Sequence, residues 1–575
     1  MENGFPIKKV LICGKDISGY AVVCPKGASP FLTEAAETFV RIIREAIGQE
    51  LRVMDEDGAA AYEIVIGTTN RDTELVRQSR ASLKNDGYAI LGEGSRLFIT
   101  GGNDRGAGYG VYSLLEDYMG VRFYASDCTV IHEAQTVEVP EGIRVLYSPV
   151  LEYRDLNWYD YIKNHDFASR NKVNCTGGKR TDVPDTSLYA EGFVHTLSAL
   201  TEEPHVPDVQ PCLTDEAVYR KVLGNVRKWL AKNPGAAIIS VSQNDSYPEG
   251  LGCQCEKCRA IDEAEGSPMG SLLTFVNRIA GEIRAEYPDV QVDTLAYRYT
   301  RKTPKTIVPA DNVIIRLCSV ECSFAHRMDD ADCEENAAFR QTIEDWAKVS
   351  DKLYIWDYTT DFAHYLAPYP NLHILWDNVR FFKEHNVVGV HEQGNYQAVS
   401  GEFGELRGYL LAKLLWNPDM TKERYFELMD EFLQDYYGEG WRYIREYIDR
   451  TAQKAAKSHM HLDDRPERYL PLESDEDRDF AREMTGLWEK ALEAAGTEEY
   501  RNRVRKSKIQ DEYYNLYMDF DGQVERNRAL YQSLKEFGIA YHCESWNLPE
   551  LEDFSVEPKI WSKYCREQAE AKDQN

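Results

Sequence analysis

The chain has little to offer a membrane or a nucleic acid. No stretch approaches the roughly 20 consecutive apolar residues a membrane span requires, and the opening MENGFPIKKVLICGK lacks an apolar core of roughly 7–15 residues behind a basic start. Basic residues are in deficit: 67 Lys and Arg against 96 Asp and Glu leave a formal net charge of -29, which repels phosphate backbones and anionic lipid alike. GxGxxG and Gly-Lys-Ser/Thr are both missing, so the glycine cluster in ITGGNDRGAGYGVYSLLEDY reads as a tight strand-to-helix turn rather than a phosphate loop. Paired cysteine spacing is scarce too. The 13 cysteines are odd in number and mostly single inside strand-like runs such as VLICG and AVVCP, the usual setting of buried, reduced thiols. Together these absences predict a cytoplasmic protein with no nucleic-acid or membrane partner.

What is present is length, aromatics and a repeating rhythm. A chain of 575 residues exceeds one ordinary core. Its 36 Tyr and 10 Trp suit packing and, in surplus, stacking against sugar faces. The overall expectation is an α/β fold in three parts. Residues 1–147 alternate short strands (KKVLICG, AYEIVIGTT, GYAILGE, RLFITGG) with helical stretches such as EAAETFVRIIREAIG, forming a small α/β accessory domain. Residues 148–420 offer eight candidate strands: VLEYRDLNW, NKVNCTG, GFVHTL, AAIISVSQND, VQVDTLAYRY, NVIIRLCSVE, KLYIWDY and VVGVHEQG. Amphipathic helical segments lie between several of them, which is the arithmetic of a TIM (β/α)8 barrel. Residues 421–575 carry charged and aromatic residues at helical spacing and form a helical region. Its aromatic stripes read as core, and it is also the surface on which a homo-oligomer would form.

In such a barrel, chemistry sits at the C-terminal strand ends, and here those ends are polar. Arg154, Asp155 and Trp158 end the first strand, His195 the third, and Gln243, Asn244 and Asp245 the fourth. Tyr297 follows the fifth, Glu321 the sixth, Trp356 and Asp357 the seventh, and His391, Glu392 and Gln393 the eighth. Carboxylates around one mouth with aromatic neighbours suit glycoside cleavage, in which one acid protonates the leaving oxygen and another group stabilises the oxocarbenium-like centre. Singly, each acid reads more readily as a helix cap or a loop ion pair than as a catalyst; three together, each after an apolar run, bring the two readings level.

The strings VSQNDSYPEGLGCQCEKC, NRIAGEIRAEYPDVQVDTLAYRYTRKTP, NVIIRLCSVECSFAH, LYIWDYTTDFAHYLAPYPNL and LRGYLLAKLLWNP run in order from about Phe193 to Pro418. This stretch resembles the domain-of-unknown-function group 4838, largely associated with glycoside hydrolase family 163. The piece GAGYGVYSLLEDYMGVRFY is similar to the domain that precedes the barrel in family 67 α-glucuronidases and several β-N-acetylhexosaminidases. The resemblance implies a retaining β-N-acetylglucosaminidase acting on GlcNAc-containing oligosaccharides. In such enzymes the substrate's own acetamido oxygen serves as nucleophile. On that reading Asp245 with Asn244 holds the acetamido group and Glu321 is the acid/base, with Glu392 as the alternate acid. Arg154, Trp158, His195, Tyr297, Trp356 and Asp357 bind or stack on the sugar, and no cofactor is needed. Two other readings stand beside it. One is a uronic-acid-releasing enzyme, for which Arg154, Arg298 or Arg316 would clamp the carboxylate; the other is a carbohydrate-binding protein without turnover.

Cys253, Cys255 and Cys258 supply three thiols, to which Cys318, Cys322, Cys333 or His326 would add a fourth. A Cys-x-x-Cys without its partner pair does not make a zinc site, and these cysteines read equally as small buried residues at the start of a helix. No metal is assigned from the sequence.

Overall fold

The computed structural model describes residues 4–183, 186–206, 209–246 and 250–573. They form two compact units, one of residues 1–152, 164–174 and 181–184, the other of residues 153–163, 175–180 and 185–575. The helices beyond Thr421 therefore fall in the same unit as the barrel strands. No described helix is long and apolar enough to cross a membrane.

The first unit is built on a six-stranded mixed sheet, in the order Arg144–Tyr147, Tyr88–Glu93, Arg96–Gly101, Tyr62–Ile66, Tyr20–Cys24 and Arg52–Asp55. The helix Pro30–Ile47 begins where Ser29 caps it with Pro30 in its first turn, and it buries Phe31, Leu32, Ala35, Phe39, Ile42, Ile43 and Ala46 at helical spacing. The glycine cluster does packing work. A Cβ on Gly106 would come within 2.2 Å of the Gly87 carbonyl, so only glycine lets the helix Asp104–Met119 start this close to the sheet.

The second unit carries an eight-stranded sheet. Its strands are numbered here β1 (Tyr153–Asn157), β2 (Cys175–Thr176), β3 (Lys179–Arg180), β4 (Ile238–Ser240), β5 (Gln291–Ala296), β6 (Val313–Cys318), β7 (Leu353–Tyr358) and β8 (Val387–Gln393). The order is β3-β2-β1-β8-β7-β6-β5-β4. Every neighbouring pair is parallel except β2 with β3. The sheet curls, and an extended segment bridges its two edges, pairing Ser187 with Lys179 and Tyr189 with Ile238. That segment stands where the sequence reading placed the strand GFVHTL. The latter instead turns at His195, with φ +53°, and continues into a helix, Leu197–Thr201.

Helices follow most strands in the expected alternation: Glu216–Lys232 before β4, Met269–Glu286 before β5, Glu334–Ala347 before β7 and Leu375–Glu384 before β8. Between β5 and β6 the proline-bearing stretch TRKTPKTIVPADN forms no α-helix. The barrel interior is partly polar. Arg316, fully buried, donates to Asp293 at 3.0 and 3.1 Å and to the Tyr189 hydroxyl, and its guanidinium lies 5.0–5.8 Å from the rings of Tyr153, Tyr189, Phe193 and Tyr354. Burying this pair is tolerable because each charge has its partner and the aromatic faces favour the cation. Gly389 leaves the space Tyr354 fills, since a Cβ there would lie 2.6 Å from the ring.

The C-terminal helices Lys422–Tyr437, Trp441–Ala455, Asp475–Ala494 and Glu498–Met518 pack consecutively. Their aromatic stripes are core, as expected: Tyr425, Phe432, Tyr447, Trp488 and Tyr513 are all buried. After them a short hairpin, Tyr541–Cys543 with Trp546–Asn547, runs beside the loop after β7, where Tyr365 donates its N–H to the His542 carbonyl and Glu544 donates its own to the Phe362 carbonyl.

Candidate active site at the barrel mouth

Side chains alternate between the two faces of a strand, and the register between β7 and β8 sorts the predicted residues. Tyr354 pairs with Gly389, Trp356 with His391 and Tyr358 with Gln393. These face inward: the Trp356 ring is 4.7 Å from that of His391, and its Nε1 donates to Gln393 Oε1 at 2.8 Å. The intervening pair, Asp357 and Glu392, therefore faces outward, behind the sheet. Both are buried. Asp357 accepts from the Ser319 hydroxyl at 2.5 Å, whereas neither oxygen of Glu392 finds a hydrogen-bond partner among the described residues. Burial, followed by the charge of Asp357, pushes the Glu392 carboxyl well above its ordinary range. Burial raises Asp357 to about 6. These two expected site residues share a buried position but not the mouth.

Three further expectations are corrected by packing. Arg154 also points outward, its guanidinium 5.2 Å from the ring of Trp416, which ends the helix Gly404–Trp416. Trp158 is buried beside Gly394 and Gly404, where an added Cβ would approach its ring to 2.1 and 3.3 Å, and it donates to Thr359 at 3.1 Å. Asn244 spends its amide on the backbone, accepting from Ser198 N–H and donating to the Val209 carbonyl, both at 2.8 Å. None of the three is available to a ligand at the mouth. Arg316, one of the arginines considered for a uronate, is likewise committed to Asp293 in the interior.

Asp245, His195, Tyr297 and Arg298 do converge. The Asp245 side chain is 51% exposed, open to a ligand, and accepts from the Tyr297 hydroxyl at 3.1 Å. Arg298 Nε donates to that same hydroxyl at 3.2 Å. Burial raises the Tyr297 phenol to about 12, so it stays a donor at neutral pH. His195 Nδ1 lies 2.9 Å from the Gln243 carbonyl. The carbonyl can only accept, which makes Nδ1 the protonated nitrogen and leaves Nε2 as an acceptor 3.9 Å from Asp245 Oδ1. Burial lowers the His195 pKa, favouring that neutral form. His195 and Arg298 both hold positive φ, +53° and +55°, a strained conformation that concentrates at functional sites. Glu321 stands nearby as the ion-pair partner of Arg301.

The opposite wall was not read from the sequence. Glu544, on the C-terminal hairpin, accepts from Gln393 Nε2 and from the Tyr396 hydroxyl, both at 3.3 Å. Burial raises its pKa. Gln393 ends β8, four strands along the curled sheet from β4, so Glu544 and Asp245 occupy different sides of one mouth. Between them Phe193 and Trp356, ring centroids 5.4 Å apart, make an aromatic floor. Beneath it His391 donates through Nδ1 to Asp155 at 2.9 Å, with Nε2 unpartnered among the described residues. Asp155 also accepts from Tyr153 and from the N–H groups of Gly177 and Gly178. The one available signal for Glu544 was an acid among Tyr541, His542 and Trp546 outside any helical periodicity.

Comparison with known proteins fits this architecture. The chain aligns over 95% of its length, and over 78% of the other chain, with the solved structure of a family GH115 4-O-methyl-alpha-glucuronidase, BtGH115A, with specificity for decorated arabinogalactans, at 12% identity and a TM-score of 0.53. A GH138 enzyme targeting pectin rhamnogalacturonan II aligns at 11% identity and a TM-score of 0.46, over 96% of this chain and 99% of its own. The first likeness is one of fold. A search of curated proteins returned no match. Residues 16–114 match the glycosyl hydrolase family 67 N-terminus. Residues 123–449, which take in all eight strands of the barrel sheet, match the domain of unknown function DUF4838; this is more than half of the chain, and the protein belongs to the DUF4838 family.

Proposed function

We propose that the protein is a glycoside hydrolase whose mouth cleaves the glycosidic bond of an N-acetylglucosamine-containing oligosaccharide. The observation that carries this reading is the pair of carboxylates in contrasting settings across one aromatic-floored mouth. Asp245 is open and braced by a phenol, while Glu544 is half-buried with a raised pKa. A half-buried acid with a raised pKa is the setting of a proton donor, and an exposed carboxylate held by a phenol is that of a group that orients the substrate. The sugar identity rests on the resemblance to family 163 and on the Asp245–Tyr297 pair, whose acceptor and donor match the N–H and carbonyl of an acetamido group.

In this reading Asp245 accepts the acetamido N–H and Tyr297 steadies the group's oxygen as it attacks the anomeric carbon. The bond to the leaving oxygen breaks as Glu544 delivers its proton there. Water then adds to the same carbon, gives its proton to the Glu544 carboxylate, and restores the acetamide with retained configuration. Glu321, committed to Arg301, gives up the acid role assigned to it from the sequence, and Glu392 is set aside by its outward position. A uronic-acid substrate is the second reading, favoured by Arg298 at the mouth. Assaying aryl β-N-acetylglucosaminide, β-glucuronide and α-glucuronide side by side decides between them. Hydrolysis of the first alone supports the proposal, hydrolysis of a glucuronide alone supports the second reading, and binding without turnover of any substrate overturns both.

A further inference from the structure

Four cysteines from two loops meet beside the end of β4. Cys212 joins Cys253, Cys255 and Cys258, and their sulfurs all lie within 4.8 Å of one another. The sequence had suggested Cys318, Cys322, Cys333 or His326 for the fourth position; the structure brings Cys212 instead, from 43 residues before Cys255. Its sulfur is 3.6 Å from that of Cys255 and 4.0 Å from that of Cys258. A tetrahedron with metal–sulfur bonds of about 2.3 Å has edges of about 3.8 Å, so these separations are those of four thiolates around one zinc. They are about twice a disulfide bond length. Groups that steady a metal-bound sulfur are also in place. The Cys258 N–H donates to Cys255 Sγ at 3.4 Å, and the Thr214 hydroxyl lies 3.3 Å from Cys258 Sγ and 3.6 Å from Cys255 Sγ. Cys255 is the N-cap of the helix Glu256–Glu265, so two ligands come from a rigid helix start.

Among the described residues of the loops that supply these cysteines, several apolar side chains are left uncovered. Val206, Val209 and Leu251 are exposed, at 46, 57 and 59%, so the apolar residues that would ordinarily anchor such segments stay in water. Yet the first loop does positional work at the mouth. Two residues before Cys212, Gln210 grips the Asn244 backbone from both sides, donating to its carbonyl at 2.9 Å and accepting its N–H at 3.0 Å. Asn244 precedes Asp245.

We propose that Cys212, Cys253, Cys255 and Cys258 form a closed, four-thiolate structural zinc site that staples these two loops and thereby fixes the strand end carrying Asp245. The site is structural because all four positions are filled by protein ligands, which leaves no coordination place for substrate. Only the importance of Asp245 rests on the proposed function; the metal site stands on its own geometry.

Metal analysis of the purified full-length chain tests this directly. One zinc per chain is expected. Growth with cobalt should give thiolate-to-cobalt charge-transfer bands and tetrahedral d–d bands, which report sulfur ligation without any activity assay. Cys212→Ser should lose the bound metal, while Cys565→Ser, a cysteine outside the cluster, should retain it. Should a variant fail to fold, the parent chain still answers: stripping the metal with a chelator should lower its Tm and free four reactive thiols, and zinc should reverse both. A reduced parent chain that takes up neither zinc nor cobalt overturns the proposal. So does a Cys212→Ser chain with undiminished metal. A stoichiometric zinc in a chain whose Asp245→Asn variant keeps full turnover would refute the proposed function and leave the metal site intact.

Discussion

Trp356 and Asp357 are neighbours in sequence, as are His391 and Glu392, yet each pair is divided by the thickness of the sheet. On the inner face, Trp356, His391 and Gln393 meet one another and reach Glu544. On the outer face, Asp357 and Glu392 are buried side by side, the first held by the Ser319 hydroxyl and the Tyr358 backbone and the second without a hydrogen-bond partner among the described residues. Both faces hold carboxylates with raised pKa values. A perturbed acid at a strand end is therefore not by itself a sign of the mouth. Burial perturbs it on either side, and the period-two alternation decides which side it serves.

Substitutions can break or sharpen this division. The largest effect is expected at Glu544. Glu544→Gln should lower turnover of natural oligosaccharide about 10²–10⁴-fold, and much less for aryl glycosides whose leaving group needs no proton. Turnover near the parent's on the natural substrate would remove Glu544 from the mechanism. Tyr297→Phe, which takes the hydroxyl from Asp245 and leaves the ring in place, should cost about 10–100-fold, on the order of 1.4–3 kcal/mol of barrier, read as kcat on the best aryl substrate.

The outer face should speak through stability instead. Asp357 holds its proton up to about 6 when folded, whereas the unfolded chain releases it near 4. Between those values the folded state binds more protons than the unfolded one, so stability falls as pH rises through that window. Asp357→Asn should remove the share of the fall that Asp357 contributes, so that between about pH 3.5 and pH 7 the variant gains on the parent by up to about 2–3 kcal/mol. Denaturant midpoints at both pH values measure this, and an unchanged difference between them would refute it. The smallest effect is reserved for Glu392→Gln, with turnover within about threefold of the parent, as suits a residue outside the catalytic constellation. A loss there as deep as that of Glu544→Gln would mean that the inward and outward faces do not sort the chemistry at all.

Apolar runs made the barrel legible. AAIIS, NVIIR and VVGV sit where β4, β6 and β8 form, because buried parallel strands require such runs. GFVHTL carried the same apolar signal and is no strand. What bridges the sheet's edges is the segment around Ser187–Tyr189, whose pairing depends on partners far along the chain. Of the residues that converge, Tyr297, His195 and Trp356 directly follow apolar runs and Asp245 closes the short polar tail Ser242–Asn244 after one, which made them readable. Arg154 and Glu392 follow such runs too and fail on the parity of one residue, which no strand boundary read from sequence fixes that closely. Trp158 and Asn244 fail because packing and loop clamping claim them. Glu544, marked only by its aromatic neighbours, and Cys212 went unread for a simpler reason: each gains its meaning from partners far away in the chain, met only through tertiary structure.

The hairpin that bears Glu544 ties the mouth to a segment 151 residues beyond Gln393 in the chain. During synthesis the strands can curl and the aromatic floor assemble while that wall is still unmade, so a nascent or prematurely terminated chain holds a recognisable cleft with nothing to set against Gln393. A cut anywhere in the span of 151 residues from Gln393 to Glu544 would therefore leave the strand ends in place and remove the carboxylate set against them.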